Sequence, residues 1–226
     1  MARTNTKQDV PLEKIRRYLE PGRIVLVSSS WEGRRNIMTM GWHTVMEFSP
    51  SLVGGVIASS NHSFEMVRQS RECVINLPTM ALLDAVVGIG ITSGSEVDKF
   101  ERFGLMPEAV EGVAAPAIRE CHAHFACWLH DDSLVDKYNF FIWEVVAARA
   151  ARTPKHPETV HYTEGVFMVA GKVVSRRSRL CWPWSRADAE SSCCARRAGC
   201  RRGRDRPAGP APAPSARPCP HLATHR

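Results

Sequence analysis

No stretch of this 226-residue chain approaches the roughly 18 consecutive apolar residues that a membrane-spanning helix needs. The first ten residues, Met1 to Val10, are polar and lack the apolar segment of a secretory signal. These two absences set the expectation of a cytoplasmic protein with no membrane partner. Neither a Gly-x-Ser-x-Gly nucleophile elbow nor a phosphate-binding loop occurs, which removes two common routes to hydrolase and nucleotide chemistry. Gly88-Ile89-Gly90 is not a dinucleotide fingerprint, because it follows a helix-like segment and its spacing to Gly94 is wrong. Cysteine is sparse ahead of residue 180: only Cys73, Cys121 and Cys127. Three dispersed thiols read as small buried apolar side chains in a reduced compartment.

The last 47 residues lack even more. Across 180–226 there is no Lys, Ile, Val, Phe, Tyr, Met, Asn or Gln, and Ala, Arg, Pro and Gly supply 28 of the 47 residues. No helix or strand period survives there, and such a segment cannot bury enough apolar surface to offset its ordering entropy. The expected organisation is a folded domain over 1–179 and a disordered Arg/Ala/Pro/Cys-rich tail over 180–226. Two origins of the tail are open, a native basic extension or GC-rich DNA translated out of frame, and the abruptness of the break favours the second. The net charge of +7 also divides at this boundary, since residues 1–179 carry 21 basic and 20 acidic side chains while the tail carries nine Arg and three acids. The folded part is nearly neutral, so no nucleic-acid partner is expected.

What is present before residue 180 is strand signal. Candidate strands are 23–29, 35–45, 51–58, 73–77, 122–129, 140–148 and 166–169. Short helices are expected at 11–19, 64–70, 81–87 and 97–103. Pro50, Pro78, Pro107, Pro116, Pro154 and Pro157 read as loop markers. Many strands with few, short helices argue for an antiparallel barrel or sandwich over repeated βαβ units.

Polar side chains interrupt that strand signal. Asn36 and Thr39 lie on opposite faces of one strand, so each face carries a group that needs a partner when buried. Gly54-Gly55 in the next strand suits close approach of another backbone or a ligand. Ser59-Ser60-Asn61-His62-Ser63 then precedes a helix. Two readings of it are open: a plain capped helix, or a phosphate seat built on free N–H groups.

Taken in order, Asn36-x-Met38-Thr39-x-x-Trp42, Ser49-Pro50, Asn61-His62-Ser63, Asn76-Leu77-Pro78, Ser93-Gly94, Asp98-Lys99-Phe100, Gly104-Leu105 and Ala115-Pro116 resemble the flavin reductase-like family. The resemblance runs from about Pro11 to Val174. It implies a mainly β fold, a six-stranded antiparallel Greek-key split barrel of the FMN-binding type, assembled as a homodimer. It also implies FMN as cofactor, NAD(P)H as electron donor, and flavin or another small molecule as acceptor. An electron-transfer FMN protein without NAD(P)H turnover, and a split-barrel binding protein without redox function, are the alternatives.

Carried over by position, Asn36, Met38, Thr39 and Trp42 would line the isoalloxazine. Ser59, Asn61, His62 and Ser63 would surround the phosphate and ribityl chain, and Lys99 and Phe100 would approach the flavin. No catalytic residue is assigned, because the cofactor supplies the electron chemistry. The phosphate segment lacks the Arg or Lys that family members often carry there. Trp143 stands where many read Gly, which would narrow the substrate side. Cys121 and Cys127 lie about 20 Å apart on an extended strand, too far to share one zinc. With His122 and His124 they are read as core or barrel-surface residues, and no metal is expected. His156 and His161 are read as solvated loop residues. The stripe of Leu82, Leu83, Val86 and Val87 is read as core.

Overall fold

The computed structural model describes Pro11, Leu19 and residues 22–171. Residues 12–18 of the expected helix at 11–19, and the tail beyond 179, lie outside the described residues. In chain order the elements begin with strands β1 (Gly22–Arg23), β2 (Val25–Trp31), β3 (Arg34–Met40), β4 (His43–Phe48) and β5 (Ser51–Val56). Helix α1 (His62–Ser70) and strand β6 (Glu72–Leu77) follow, then a 3₁₀ turn at Met80–Leu82, helix α2 (Leu83–Ile91) and the short α3 (Lys99–Arg102). The remainder comprises β7 (Pro107–Val110), β8 (Val113–Ile118), β9 (Ala123–Asp131), α4 (Val135–Tyr138), β10 (Phe140–Ala150), β11 (His161–Thr163) and β12 (Val166–Met168).

The main sheet is antiparallel with strand order β3-β2-β6-β9-β10-β5-β4. Its two edges, β3 and β4, are consecutive in the chain and separated only by Gly41 and Trp42. Three residues of extended chain span about 11 Å at most, so the sheet must curl until its edges nearly meet. That covalent link closes the barrel. The expected single strand 35–45 is therefore one strand broken at Gly41-Trp42, and counting its halves together leaves six strands in the barrel.

Alternation on β2 and β3 explains why both faces are apolar. Val25, Val27, Met38 and Met40 point into the barrel core with Phe64, Cys73, Cys127, Phe141 and Trp143. Leu26 and Ile37 point outward into a second core, closed by Val86 and Ile89 of α2 and Phe100 of α3. Trp143 is fully buried and stacks on Phe141 with ring centroids 5.5 Å apart. It fills the barrel interior and does not narrow a ligand site, because β10 turns that position inward.

The hairpin β7–β8, which the two loop-marking prolines had hidden, packs on the outer face of β2 and β6. Pro116 sits at the register shift between Glu108 and Val110, where its missing N–H costs no ladder bond. Asn76 fastens this hairpin by donating to Leu26 O and Ser28 Oγ and accepting from Ile118 N at 2.9 Å. His161 is also not a solvated loop residue. It lies half-buried on β11, with Nε2 3.1 Å from Thr159 Oγ1. Among the described residues no helix is long and apolar enough to cross a membrane, and no group of His, Cys, Asp and Glu could hold a metal ion.

Candidate functional site

The exit of β3, the turn before α1, and α2 surround one groove. Its wider part is a cavity of about 550 Å³ walled by Met38, Thr39, Gly41, Trp42, Val87 and Tyr162. Most of that wall is carbon. Tyr162 and Phe167, rings 5.2 Å apart, close its far side. The narrower part is about 250 Å³ and polar, lined by Ser60, Asn61, His62, Thr92, Ser93 and Lys99. Met38, Thr39, Asn61, Gly90 and Ile91 border both parts, so the two form a continuous site with one apolar and one polar end.

The polar end is built on helix α1. Asn61 caps it, with Oδ1 accepting from Ser63 N at 2.9 Å. A helix start carries free N–H groups and partial positive charge, which suits an anion. Lys99 brings a full charge. Its Nζ is buried and donates to Ile37 O at 2.8 Å and Ile89 O at 2.9 Å. An ammonium has three donors, so one N–H is left for a ligand. Burial lowers the Lys99 pKa from 10.5 to about 8. The His62 pKa is lowered by burial and by the charges of Arg34 and Lys99, which keeps the imidazole neutral at pH 7.

The Asp98-Lys99-Phe100 piece divides its labour. Asp98 Oδ1 caps α3 by accepting from Phe100 N at 2.8 Å, while Oδ2 takes both Nε and an Nη of Arg35 at 2.8 Å. Phe100 turns into the outer core, under the Arg35 guanidinium at 5.0 Å. Lys99 alone faces the groove.

The expected site residues therefore separate. Met38, Thr39, Trp42, Asn61, His62 and Lys99 line the groove. Asn36, Ser63 and Phe100 are buried behind it, and Ser59 is exposed outside its lining. Asn36 gives its amide to Ser63 Oγ at 2.8 Å and packs so closely on Gly94 that a Cβ there would meet Asn36 Oδ1. Thr39 Oγ1 donates to Val86 O at 2.7 Å. Thr39 and the Asn36 amide nitrogen thus have protein partners, whereas Asn36 Oδ1 is buried with none among the described residues. The wall contributed by Val87, Gly90, Ile91, Tyr162 and Phe167 was not foreseen. On sequence the α2 stripe has the periodicity of core, and only the fold shows Val87 leaning into the groove.

A flavin mononucleotide suits this arrangement: a planar apolar ring for the wide end, a phosphate for the polar end. The profile of the flavin reductase like domain matches residues 16–170. An uncharacterized protein of Archaeoglobus fulgidus is 31% identical over 129 residues, covering 57% of this chain and 72% of the relative. The uncharacterized Escherichia coli protein YddH is 29% identical, covering 74% and 96%. Among solved structures, an FMN-binding domain of a flavin reductases-like enzyme from Shewanella baltica superimposes with a TM-score of 0.64 at 28% identity, covering 74% of this chain and 95% of that one. Flavoredoxin of Desulfovibrio vulgaris, at 18% identity and TM-score 0.64, shares the split-barrel fold. The chain belongs to the flavin reductase-like domain family, with its FMN-binding split-barrel fold.

Proposed function

We propose that this protein is an FMN-dependent oxidoreductase that passes electrons from NAD(P)H to flavin or another small acceptor. The observation that carries this reading is the groove itself, with its apolar section joined through Thr39 and Asn61 to an anion seat at α1 and Lys99. Bound flavin would supply the hydride and electron chemistry. The protein's own residues bind, orient and shield. Met38, Trp42 and Val87 offer apolar surface to a flat ring and exclude water from it. Thr39, held to Val86 O, presents its oxygen at the border of the two sections and can accept a further hydrogen bond there. Lys99 and the α1 N–H groups hold the phosphate. The open mouth beside Trp42, which is half exposed, leaves room for a nicotinamide to reach the ring.

The test is direct. Purified protein given FMN should quench flavin fluorescence and then oxidise NADH or NADPH. Bound FMN without nicotinamide oxidation would mark an electron carrier of the flavoredoxin kind. No FMN binding at all would sink the reading.

A further inference from the structure

A separate cavity of about 230 Å³ opens where the β7–β8 hairpin meets the ends of β9 and β10, lined by Glu108, Arg119, Cys121, His122, His124 and Arg149. It shares no lining residue with the groove. His124 is 8% exposed, and its Nε2 is buried without a hydrogen-bond partner among the described residues. Alternation along β9 explains this placement. Phe125 and Cys127 pack into the barrel core, which turns His124 to the outer face. There it stands between Asn76 of β6 and Arg149 of β10. Asn76 is committed to Leu26, Ser28 and Ile118. A buried ring nitrogen without a partner is unfavourable, and the cavity that the ring lines is where a partner can enter.

The charges around it favour an anion. Arg119 has no ion pair among the described residues. Arg149 meets Glu108 at 3.4 Å and is largely exposed. Glu120, next to Cys121 in the chain, spends its carboxylate on Met106 N. Burial and the Glu120 charge push the Cys121 pKa up to about 12, so its thiol adds no negative charge. Two guanidinium groups and an imidazole therefore meet here from the turn after β8, from β10 and from β9. Arginine pairs well with phosphate oxygens, and donors from three elements suit a tetrahedral anion. The volume lies below the about 300–1,000 Å³ of a whole small-molecule pocket, which fits one phosphate group.

We propose that this cavity is a second anion site, independent of the flavin groove, that takes a phosphate, free or on a small metabolite, between Arg119, Arg149 and His124. Burial lowers the His124 pKa, with Glu108 opposing and Arg149 reinforcing the shift. A bound anion favours the imidazolium, so binding draws a proton onto the ring and strengthens as pH falls.

The first probe is sulfate, a dianion throughout the neutral range, titrated into the full chain and read by NMR on the imidazole of His124. That resonance is identified by its loss in His124→Asn and is separate from the anion seat at Lys99. The wild type should show a saturable shift that Lys99→Met retains. Arg119→Ala should weaken sulfate binding about tenfold, and Arg119→Lys should restore part of it. Affinity should rise at least about threefold between about pH 8 and about pH 6. Arg119 is exposed, so its variants fold whatever His124→Asn does, and calorimetry in the Lys99→Met background reads the same loss. Inorganic phosphate and glycerol 3-phosphate then distinguish the sources. Tighter inorganic phosphate marks the free ion, a tighter ester marks a phosphorylated metabolite, and binding of neither overturns the phosphate assignment. A His124 resonance that sulfate does not move overturns the site. So does a shift that never saturates or that Arg119→Ala leaves unchanged.

Discussion

Lys99 is the residue on which the anion seat depends. Among the described residues its ammonium is held by two backbone carbonyls and faces no carboxylate partner. Replacing it with Met should weaken FMN binding by roughly tenfold or more, from a charged hydrogen bond of about 1.5–3 kcal/mol. Riboflavin, which has no phosphate, should bind the variant as it binds the wild type. Equal losses for both ligands would place Lys99 outside the seat. Its pKa of about 8 adds a pH signature. FMN affinity should fall as pH rises through about 8 and riboflavin affinity should not. Stability of the ligand-free protein runs the other way. Burial penalises the charged form, and that penalty relaxes as pH climbs from about 8 toward 10.5, because the unfolded chain then binds the extra proton. Urea titrations of wild type and Lys99→Met across this window would show whether the rise belongs to Lys99.

Gly94 offers a purely steric test at the same scale. A Cβ there would run into Asn36 Oδ1, and both residues are buried. Gly94→Ala should therefore displace Asn36 from Ser63 and destabilise the protein by about 1–3 kcal/mol, read as a shift in the urea midpoint. An unchanged midpoint would mean that Asn36 moves freely.

Among the elements, β3 was only half legible. Its apolar residues and polar interruptions are visible in the sequence, and the opposite parity of Asn36 and Thr39 calls for partners on both faces. The explanation is mostly internal. The outer face of β3 is covered by α2, so Thr39 bonds to Val86 O, and Asn36 bonds to Ser63 at the start of α1. Thr39 therefore needs no ligand, whereas Asn36 Oδ1 is buried with no hydrogen-bond partner among the described residues. Alternation presumes one wet face, whereas β3 packs on both, against the barrel interior and against α2. The hairpin β7–β8 was missed for a similar reason: Pro107 and Pro116 signal breaks, whereas a bulge gives Pro116 a place without an N–H. Its attachment to the sheet runs through Asn76, whose Oδ1 accepts from Ile118 N while its amide serves Leu26 O and Ser28 Oγ. Asn76→Leu would orphan the Ile118 N–H, a cost of about 1–3 kcal/mol for that group alone. Chemical denaturation should show that loss with flavin affinity nearly intact, since Asn76 lies outside the groove. A large loss of flavin affinity would instead tie the hairpin to the site.

At the scale of the whole molecule, the barrel closes through a covalent link, and this leaves β4 as an outer edge with β5 its only sheet neighbour among the described residues. Edges of this kind are normally blunted by charge. Here Val45, Met46 and Phe48 are all substantially exposed, Phe48 at 70% and Val45 at 68%. Trp42, at the mouth of the groove, is 51% exposed immediately before them. Exposed apolar side chains on a sheet edge suit coverage by another protein surface. A second copy of this chain is the occupant the family resemblance implies, and because Trp42 also lines the groove, such a dimer would complete the flavin pocket. Val45→Lys should then convert a dimer to a monomer in sedimentation analysis and weaken FMN binding in the same step, because the wall beside Trp42 would be lost. A wild type that sediments as a monomer at micromolar concentration would remove the dimer. A monomeric variant with unchanged FMN affinity would keep the dimer but separate it from the site, leaving the groove of a single barrel sufficient for flavin.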